Sequence, residues 1–239
     1  MDLTNVSDVF GRAIKDYYNG KDAVIETFSS LGGWDELPVK YLFRSFEEMP
    51  DIEQTALNMA FGKVLDLGCG AGSHSLYLQD KDLEVKPIDI SEGAIEVCKL
   101  RGLNHAEVIN LWNLKNVQYD TILTLMNGVG ICGSLEKIPD FLKHLKSLLA
   151  PGGQILMDSS DVIYMFQDED GELDLSEASH YYGDVVFQSK YLDEKSASFP
   201  WMYIDFYNLK QQASNLNLQC ELLKKGPHYD YLARLTSLE

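Results

Sequence analysis

The feature that most narrows the fold of this chain is the run Val64-Leu65-Asp66-Leu67-Gly68-Cys69-Gly70-Ala71-Gly72-Ser73-His74, where an apolar segment enters closely spaced glycines and leaves as a helix. Backbone N–H groups at such a turn approach a ligand without interference from Cβ atoms, so a nucleotide-like ligand belongs there. The turn needs a parallel strand buried on both faces, with the ligand crevice at its carboxyl end. The sequence after Lys63 supplies the rest of such a sheet. Short β-branched or leucine runs predict strands at 63–67, 84–89, 107–110, 119–125 and 153–160. Helical periodicity fills 73–79, 93–101 and 137–149, and Ala150-Pro151-Gly152-Gly153 stops the last of these helices.

The expected fold class is therefore α/β, a doubly wound Rossmann-like sheet of about seven strands, mostly parallel with an antiparallel last strand. Residues 1–62 read as a helical cover, with apolar helical spacing at 8–18 and 51–61 and the turn-rich stretch SSLGGWDELP between them. Residues 63–239 form the core, interrupted after the fifth strand by an insertion at 161–205. Within it, 184–192 and 199–206 read as a hairpin or lid. A helix at 206–215 and strands at 217–225 and 229–238 close the sheet, making one structural domain overall.

Composition excludes several classes. With 45% hydrophobic and 24% charged residues the chain matches ordinary globular proteins. A formal charge of −17 repels polyanions, so no nucleic-acid partner is expected. Cys69, Cys98, Cys132 and Cys220 are scattered without a CxxC pair, which predicts neither a zinc site nor a disulfide framework. No apolar run reaches the ~18 residues of a membrane span, and the first residues lack the basic and apolar regions of a secretory signal. The expectation is a cytoplasmic protein with no membrane partner, its oligomeric state left open.

A second feature sharpens the ligand. Pro87-Ile88-Asp89 closes a strand and places a carboxylate about 20 residues beyond the glycines, where an acid accepts both hydroxyls of a ribose. A dinucleotide fingerprint needs a third glycine where Ser73 stands, which disfavours NAD. DLGCGAG, an acid two residues before G-x-G-x-G, resembles the first motif of class I S-adenosylmethionine-dependent methyltransferases. The resemblance is specific over 63–151 and extends more loosely through GPHYDYLARL. It implies that Asp66, Gly68 and Gly70, with Cys69 and Gly72 in the same loop, hold the methionine part of S-adenosyl-L-methionine, with S-adenosylhomocysteine as product. It further implies that Asp89 takes the ribose, Ile90 lies against the adenine, and Asn110 and Leu111 meet the adenine edge. Asn110 departs from the family pattern, which presents an acid there. Leu125, Met126 and Asn127 reach toward the methyl group. The same loop also occurs in aminopropyl transferases, and a non-catalytic binding module remains an alternative to an enzyme of class EC 2.1.1.-.

The sulfonium already carries an activated methyl, so catalysis is alignment and water exclusion, with a base wherever the acceptor must lose a proton. Asn127 and Asp158 are the candidate catalytic residues, Asn127 alternatively tying down a turn. Tyr41, Arg44, His74, Asp161, Tyr164 and Trp201 are the candidate substrate residues. Arg44 pairs either with the cofactor's carboxylate or with an acidic substrate, and Asp161 equally suits a helix cap. Tyr164, Phe166, Tyr181, Tyr182, Trp201 and Tyr203 either cage an acceptor or form a small core of the lid. Asp168-Glu169-Asp170-Gly171-Glu172 matches part of a calcium loop but lacks its full liganding pattern, and reads as a solvated loop with no metal. The expected acceptor is a small molecule that the sequence does not name.

Overall fold

The computed structural model describes residues 7–167, 172–173 and 180–238. Most of the partial calcium-loop run therefore lies outside the described residues. The main sheet is built from β3 (Lys63–Leu67), β4 (Glu84–Asp89), β5 (Glu107–Val108), β6 (Tyr119–Thr124), β7 (Leu149–Ser160), β11 (Leu218–Lys225) and β12 (Asp230–Ser237), in the order β11-β12-β7-β6-β3-β4-β5. Pairings from β5 through β7 are parallel, while β12 runs antiparallel to both β7 and β11. The chain lays β4 and β5 on one side of β3 and then crosses to β6 on the other. That reversal opens a crevice at the carboxyl ends of β3 and β6.

Successive strand residues point to opposite faces, and the apolar sequence uses both. Leu65, Ile122 and Ile155 enter one core with Phe141 and Leu142, whereas Val64, Leu123 and Leu156 enter a second with Ile52 and Leu57. Helix α5 (Ile138–Ser147) covers the first face because Ile138, Phe141, Leu142 and Leu145 fall on one stripe. Truncating one such fully buried side chain, Leu65→Ala for instance, costs about 2–5 kcal/mol. Helices α2 (Asp51–Met59) and α3 (Ser73–Asp80) lie on the second face.

The N-terminal region corrects the expectation of two cover helices joined only by a turn-rich stretch. Helix α1 (Val9–Tyr18) forms as predicted, but β1 (Val24–Ser29) and β2 (Gly33–Pro38) make an antiparallel hairpin. Strand β1 pairs with β8 (Asp184–Tyr191) of the insertion, and β8 pairs with β9 (Glu194–Lys195) and β10 (Phe199–Met202). Cover and insertion thus share a second, five-stranded sheet. Val24, Ile25, Thr27 and Phe28 are good strand formers, but a hairpin alone is marginal and needs the distant β8 to be stable. Helix α1 docks on α4 (Glu92–Leu100), where Asp8 accepts hydrogen bonds from Gly11 N at 2.9 Å and Gly93 N at 2.9 Å.

Smaller differences concern ends. β5 stops at Val108, and β7 begins at Leu149, so the Ala150–Gly153 turn residues belong to the strand's start. Helix α6 (Phe206–Ser214) follows β10 in the chain and buries Leu209 and Ala213 in the first core. All four cysteines are free and buried. Among the described residues no helix is long and apolar enough to cross a membrane.

Candidate active site

The glycine turn is fastened to the end of β4. Ile88 O accepts from Gly68 N at 2.9 Å and Cys69 N at 3.1 Å. Asp89, the next residue, meets the turn directly: its Oδ2 accepts from Gly70 N at 3.0 Å and its Oδ1 from Ser91 N at 2.9 Å. Each carboxylate oxygen keeps further accepting capacity. Burial pushes the Asp89 pKa up against the opposing pull of these N–H bonds. Gly70 (φ +52°) and Gly72 (φ +82°) both take left-handed backbone, but for different neighbours. A Cβ at Gly70 meets nothing within 4 Å, whereas one at Gly72 would lie 2.5 Å from Leu103 and 2.9 Å from Cys98. The first glycine leaves room over the turn, and the second lets α4 pack beneath it.

Around this turn, Asp66 is buried and its Oδ2 accepts from Ser75 Oγ at 2.6 Å, which ties β3 to the first turn of α3. Ile90 is exposed beside Asp89. Asn110 Oδ1 accepts from Trp112 N at 3.1 Å and so caps its own turn, while Leu111 packs into the main core. Leu125 is likewise a core residue.

The carboxyl ends of β6 and β7 are linked by Asp158. Met126 (φ +58°) and Asn127 (φ +55°) are consecutive left-handed residues without the freedom of glycine. Such backbone costs roughly 1–2 kcal/mol per residue, and two charge-assisted bonds offset it. Asp158 Oδ2 accepts from Met126 N at 3.0 Å and Oδ1 from Asn127 N at 2.6 Å. Burial pushes the Asp158 pKa up to about 7. The Asn127 amide is spent on structure, donating to Met202 O at 3.1 Å and accepting from Ser159 Oγ at 3.0 Å. It anchors the return of the insertion to the sheet.

Beside these residues lies a hollow of about 320 Å³ whose walls include Tyr41, Glu53, Met126, Asp158, His228 and Asp230. At its edge Arg44 is almost enclosed, with a side chain only 9% exposed. Its guanidinium lies 3.4 Å from the centre of the Tyr41 ring, and Nη2 approaches Glu53 at 3.0 and 3.2 Å and Met126 Sδ at 3.6 Å. Nε and Nη1 are buried with no hydrogen-bond partner among the described residues. Glu53 Oε2 also lies 2.7 Å from His74 Nε2. Burial pulls the His74 pKa down, but Glu53 and Asp66 outweigh it and the net direction is upward.

The other candidates separate. Asp161 Oδ1 accepts from Ile163 N at 3.0 Å and Tyr182 Oη at 2.9 Å, the capping role foreseen for it. Tyr164 stacks on Tyr229 with ring centres 4.7 Å apart. Trp201 does not line the hollow; it packs against Gly130, where any Cβ would strike the indole, and beside Phe187 and Phe199. Tyr181 donates to Asp205 at 2.6 Å, and Tyr182 Oη also lies within 3.1 Å of the same carboxylate. For Trp201, Tyr181 and Tyr182 the aromatics therefore form the insertion's own core.

Three wall residues, Glu53, His228 and Asp230, escaped sequence reasoning. Glu53 did carry a signal, standing in line with Ile52, Ala56 and Leu57 on the buried face of α2, where an unpaired acid is costly. His228 sits in the β11–β12 turn and Asp230 opens β12, and only the folded sheet brings them to the hollow.

A family model described as a methyltransferase domain matches residues 40–217. A solved S-adenosylmethionine-dependent methyltransferase from Bacteroides fragilis, in complex with S-adenosyl-L-homocysteine, is 47% identical with a TM-score of 0.89, over 98% of each chain. The probable S-adenosyl-L-methionine-dependent methyltransferase TehB of Haemophilus influenzae is 32% identical over 113 residues, 45% of this chain and 39% of that protein. The ubiquinone biosynthesis O-methyltransferase of Xanthomonas euvesicatoria pv. vesicatoria is 26% identical over 154 residues, 58% of this chain and 61% of that protein. The chain thus spans less than two thirds of the length of these curated relatives.

Proposed function

The chain belongs to the methyltransferase domain family, on the class I S-adenosylmethionine-dependent fold, and on that premise we propose that it transfers a methyl group by in-line displacement to a small molecule held in the hollow beside Asp158. The observation that carries this reading is the meeting of the glycine turn with Asp89, 3.0 Å from Gly70 N, together with a buried arginine that has two unpaired donors and is tied through Glu53 to His74 on the helix leaving that turn. When bound, S-adenosyl-L-methionine supplies a methyl already activated by its sulfonium. The residues present fit that group: open space over Gly70, carboxylate capacity at Asp89, and donors at Arg44 suited to a carboxylate.

In this reading Gly68, Cys69, Gly70 and Gly72 shape the turn and Asp66 holds its floor. Asp89 binds the ribose, Ile90 the adenine face, and Asn110 and Leu111 the adenine edge, with Leu125 and Met126 lining the approach to the methyl. Arg44 takes the methionyl carboxylate, with Tyr41 stacked beneath it. Decarboxylated cofactor would leave the Arg44 donors without an anion, which weighs against aminopropyl transfer. Asp158 and Asn127 act through the strained Met126–Asn127 turn and the anchoring of the insertion.

Residues 1–62 serve as cover, 161–205 as lid and 63–239 as core. The cover is tied to the loop by Leu42 O, which accepts from Ser73 Oγ at 2.8 Å, and by Arg101, which bonds Ala71 O and stacks on Phe43. A closed cover excludes water from the reacting centre. The named walls carry Glu53, Asp158 and Asp230 and no lysine or arginine, so neutral or cationic acceptors are preferred over anionic ones. A cytoplasmic setting without a nucleic-acid partner accords with the charge of −17. Calorimetric titration with S-adenosylhomocysteine tests the reading: saturable heat is expected, followed by methyl transfer to members of an acceptor panel. Absence of saturable heat up to low-millimolar ligand contradicts it.

A further inference from the structure

Resting on the assignment of Arg44 to the cofactor's carboxylate, we propose that Glu53 and His74 are positioning residues that aim Arg44 and set the charge of its site, so that carboxylate binding is coupled to a proton held on His74. The three side chains come from three places: Arg44 from the cover segment before α2, Glu53 from α2 and His74 from the first turn of α3. Their side chains are only 9%, 4% and 10% exposed. Glu53 is gripped on both sides, its oxygens 3.0 and 3.2 Å from Arg44 Nη2 and Oε2 2.7 Å from His74 Nε2. Because Nη2 alone faces Glu53, Nε and Nη1 are left free for a second anion.

Counting charges gives the consequence. With neutral His74 the Arg44–Glu53 pair sums to zero, and an incoming carboxylate makes the buried group net negative. With protonated His74 the trio carries one positive charge, which the carboxylate neutralises; burying a compensated group is far cheaper. His74 faces Glu53 from α2, Asp66 from β3, Arg44 from the cover and Asp158 from β7. Glu53 and Asp66 raise its pKa in the free protein, and one more carboxylate on Arg44 raises it further. By linkage, a carboxylate-bearing ligand takes up a proton as it binds, and its affinity is greatest below the His74 pKa and falls as pH rises through it. Asp158, near 7, titrates in the same window, so the contribution of His74 must be separated by substitution.

The test compares two probes on the full chain: S-adenosylhomocysteine and 5′-methylthioadenosine, which keeps the nucleoside thioether and lacks the amino-acid part. Calorimetry at about pH 6 and about pH 8.5 brackets the histidine range. For the unmodified protein, S-adenosylhomocysteine affinity is expected to fall by about tenfold, the equivalent of one unit of pKa coupling, while 5′-methylthioadenosine changes little. In His74→Gln the tenfold loss disappears. Titrations in two buffers of different ionisation enthalpy provide a readout that needs no variant: proton uptake accompanies S-adenosylhomocysteine and not 5′-methylthioadenosine. Equal proton uptake for both probes, or an undiminished loss in a folded His74→Gln protein, overturns the coupling. Equal affinity for the two probes at the lower pH overturns instead the placement of the carboxylate on Arg44.

Discussion

At the Gly68–Asp89 end of the crevice, the polar groups are backbone amides of a single turn, held to the adjacent strand by Ile88 O and Asp89. At the Arg44 end they are side chains from separate elements: Arg44, Glu53 and His74 hold one another, and Asp158, His228 and Asp230 line the hollow beside them. A backbone-built site depends on local conformation and survives most side-chain changes nearby. A site built from interlocked buried charges fails when any partner is removed, because the partner left behind stays buried and uncompensated.

The sharpest way to break this contrast is Arg44→Met. It leaves Glu53 buried beside His74 alone and should cost about 3–5 kcal/mol of stability, together with most of the affinity for S-adenosylhomocysteine; thermal unfolding and calorimetry measure both. A loss under 1 kcal/mol would mean the charges are not interlocked. Next comes a pair within the glycine turn. Gly72→Ala combines left-handed strain with overpacking against Leu103 and Cys98, about 2–4 kcal/mol together. Gly70→Ala carries only the strain, roughly 1–2 kcal/mol, and should weaken cofactor binding more than its stability loss implies. Equal stability losses would erase the distinction drawn between the two glycines.

Asp158→Asn is expected to cost about 1–3 kcal/mol, since its amide nitrogen cannot accept from one of the two N–H groups it replaces. It also changes the pH dependence. A carboxyl whose folded pKa is raised to about 7 binds its proton more tightly when folded. Its contribution is present below the ordinary carboxylate value of about 3.9 and is lost as pH rises through about 7. Urea denaturation across that window should show the decline in the unmodified protein and a flatter profile in the variant. The smallest expected effect on binding is Asp89→Ala, which should weaken S-adenosylhomocysteine binding by at least ~1 kcal/mol beyond the stability lost when Gly70 N and Ser91 N lose their acceptor. Unchanged affinity removes Asp89 from the site.

The same contrast explains what could be read in advance. The strand at 63–67, the glycines at 68, 70 and 72 and the acid at 89 lie on consecutive elements, and their spacing alone puts them together in a parallel sheet. The expectation of a turn-rich link between two cover helices missed the hairpin at 24–38 because the pairing that stabilises β1 comes from β8, more than 150 residues along the chain. Asn127 read equally as an acting residue or a turn anchor because its bonding partners, Met202 and Ser159, arrive only when the insertion folds back. Trp201 read as either an acceptor cage or part of the lid's core, and only its packing on Gly130 shows which contacts it makes.

The sequence by itself determined the alternation of strand and helix, the crevice at the glycine turn and the class of ligand, because periodicity and turn chemistry act over a few residues and are written in contiguous text. Only the tertiary structure decided that Glu53 holds Arg44 and His74 together, that Asp158 braces the Met126–Asn127 turn, and that His228 and Asp230 wall the hollow. Those outcomes depend on buried charges finding partners across long chain separations, and no local propensity encodes which partner is found.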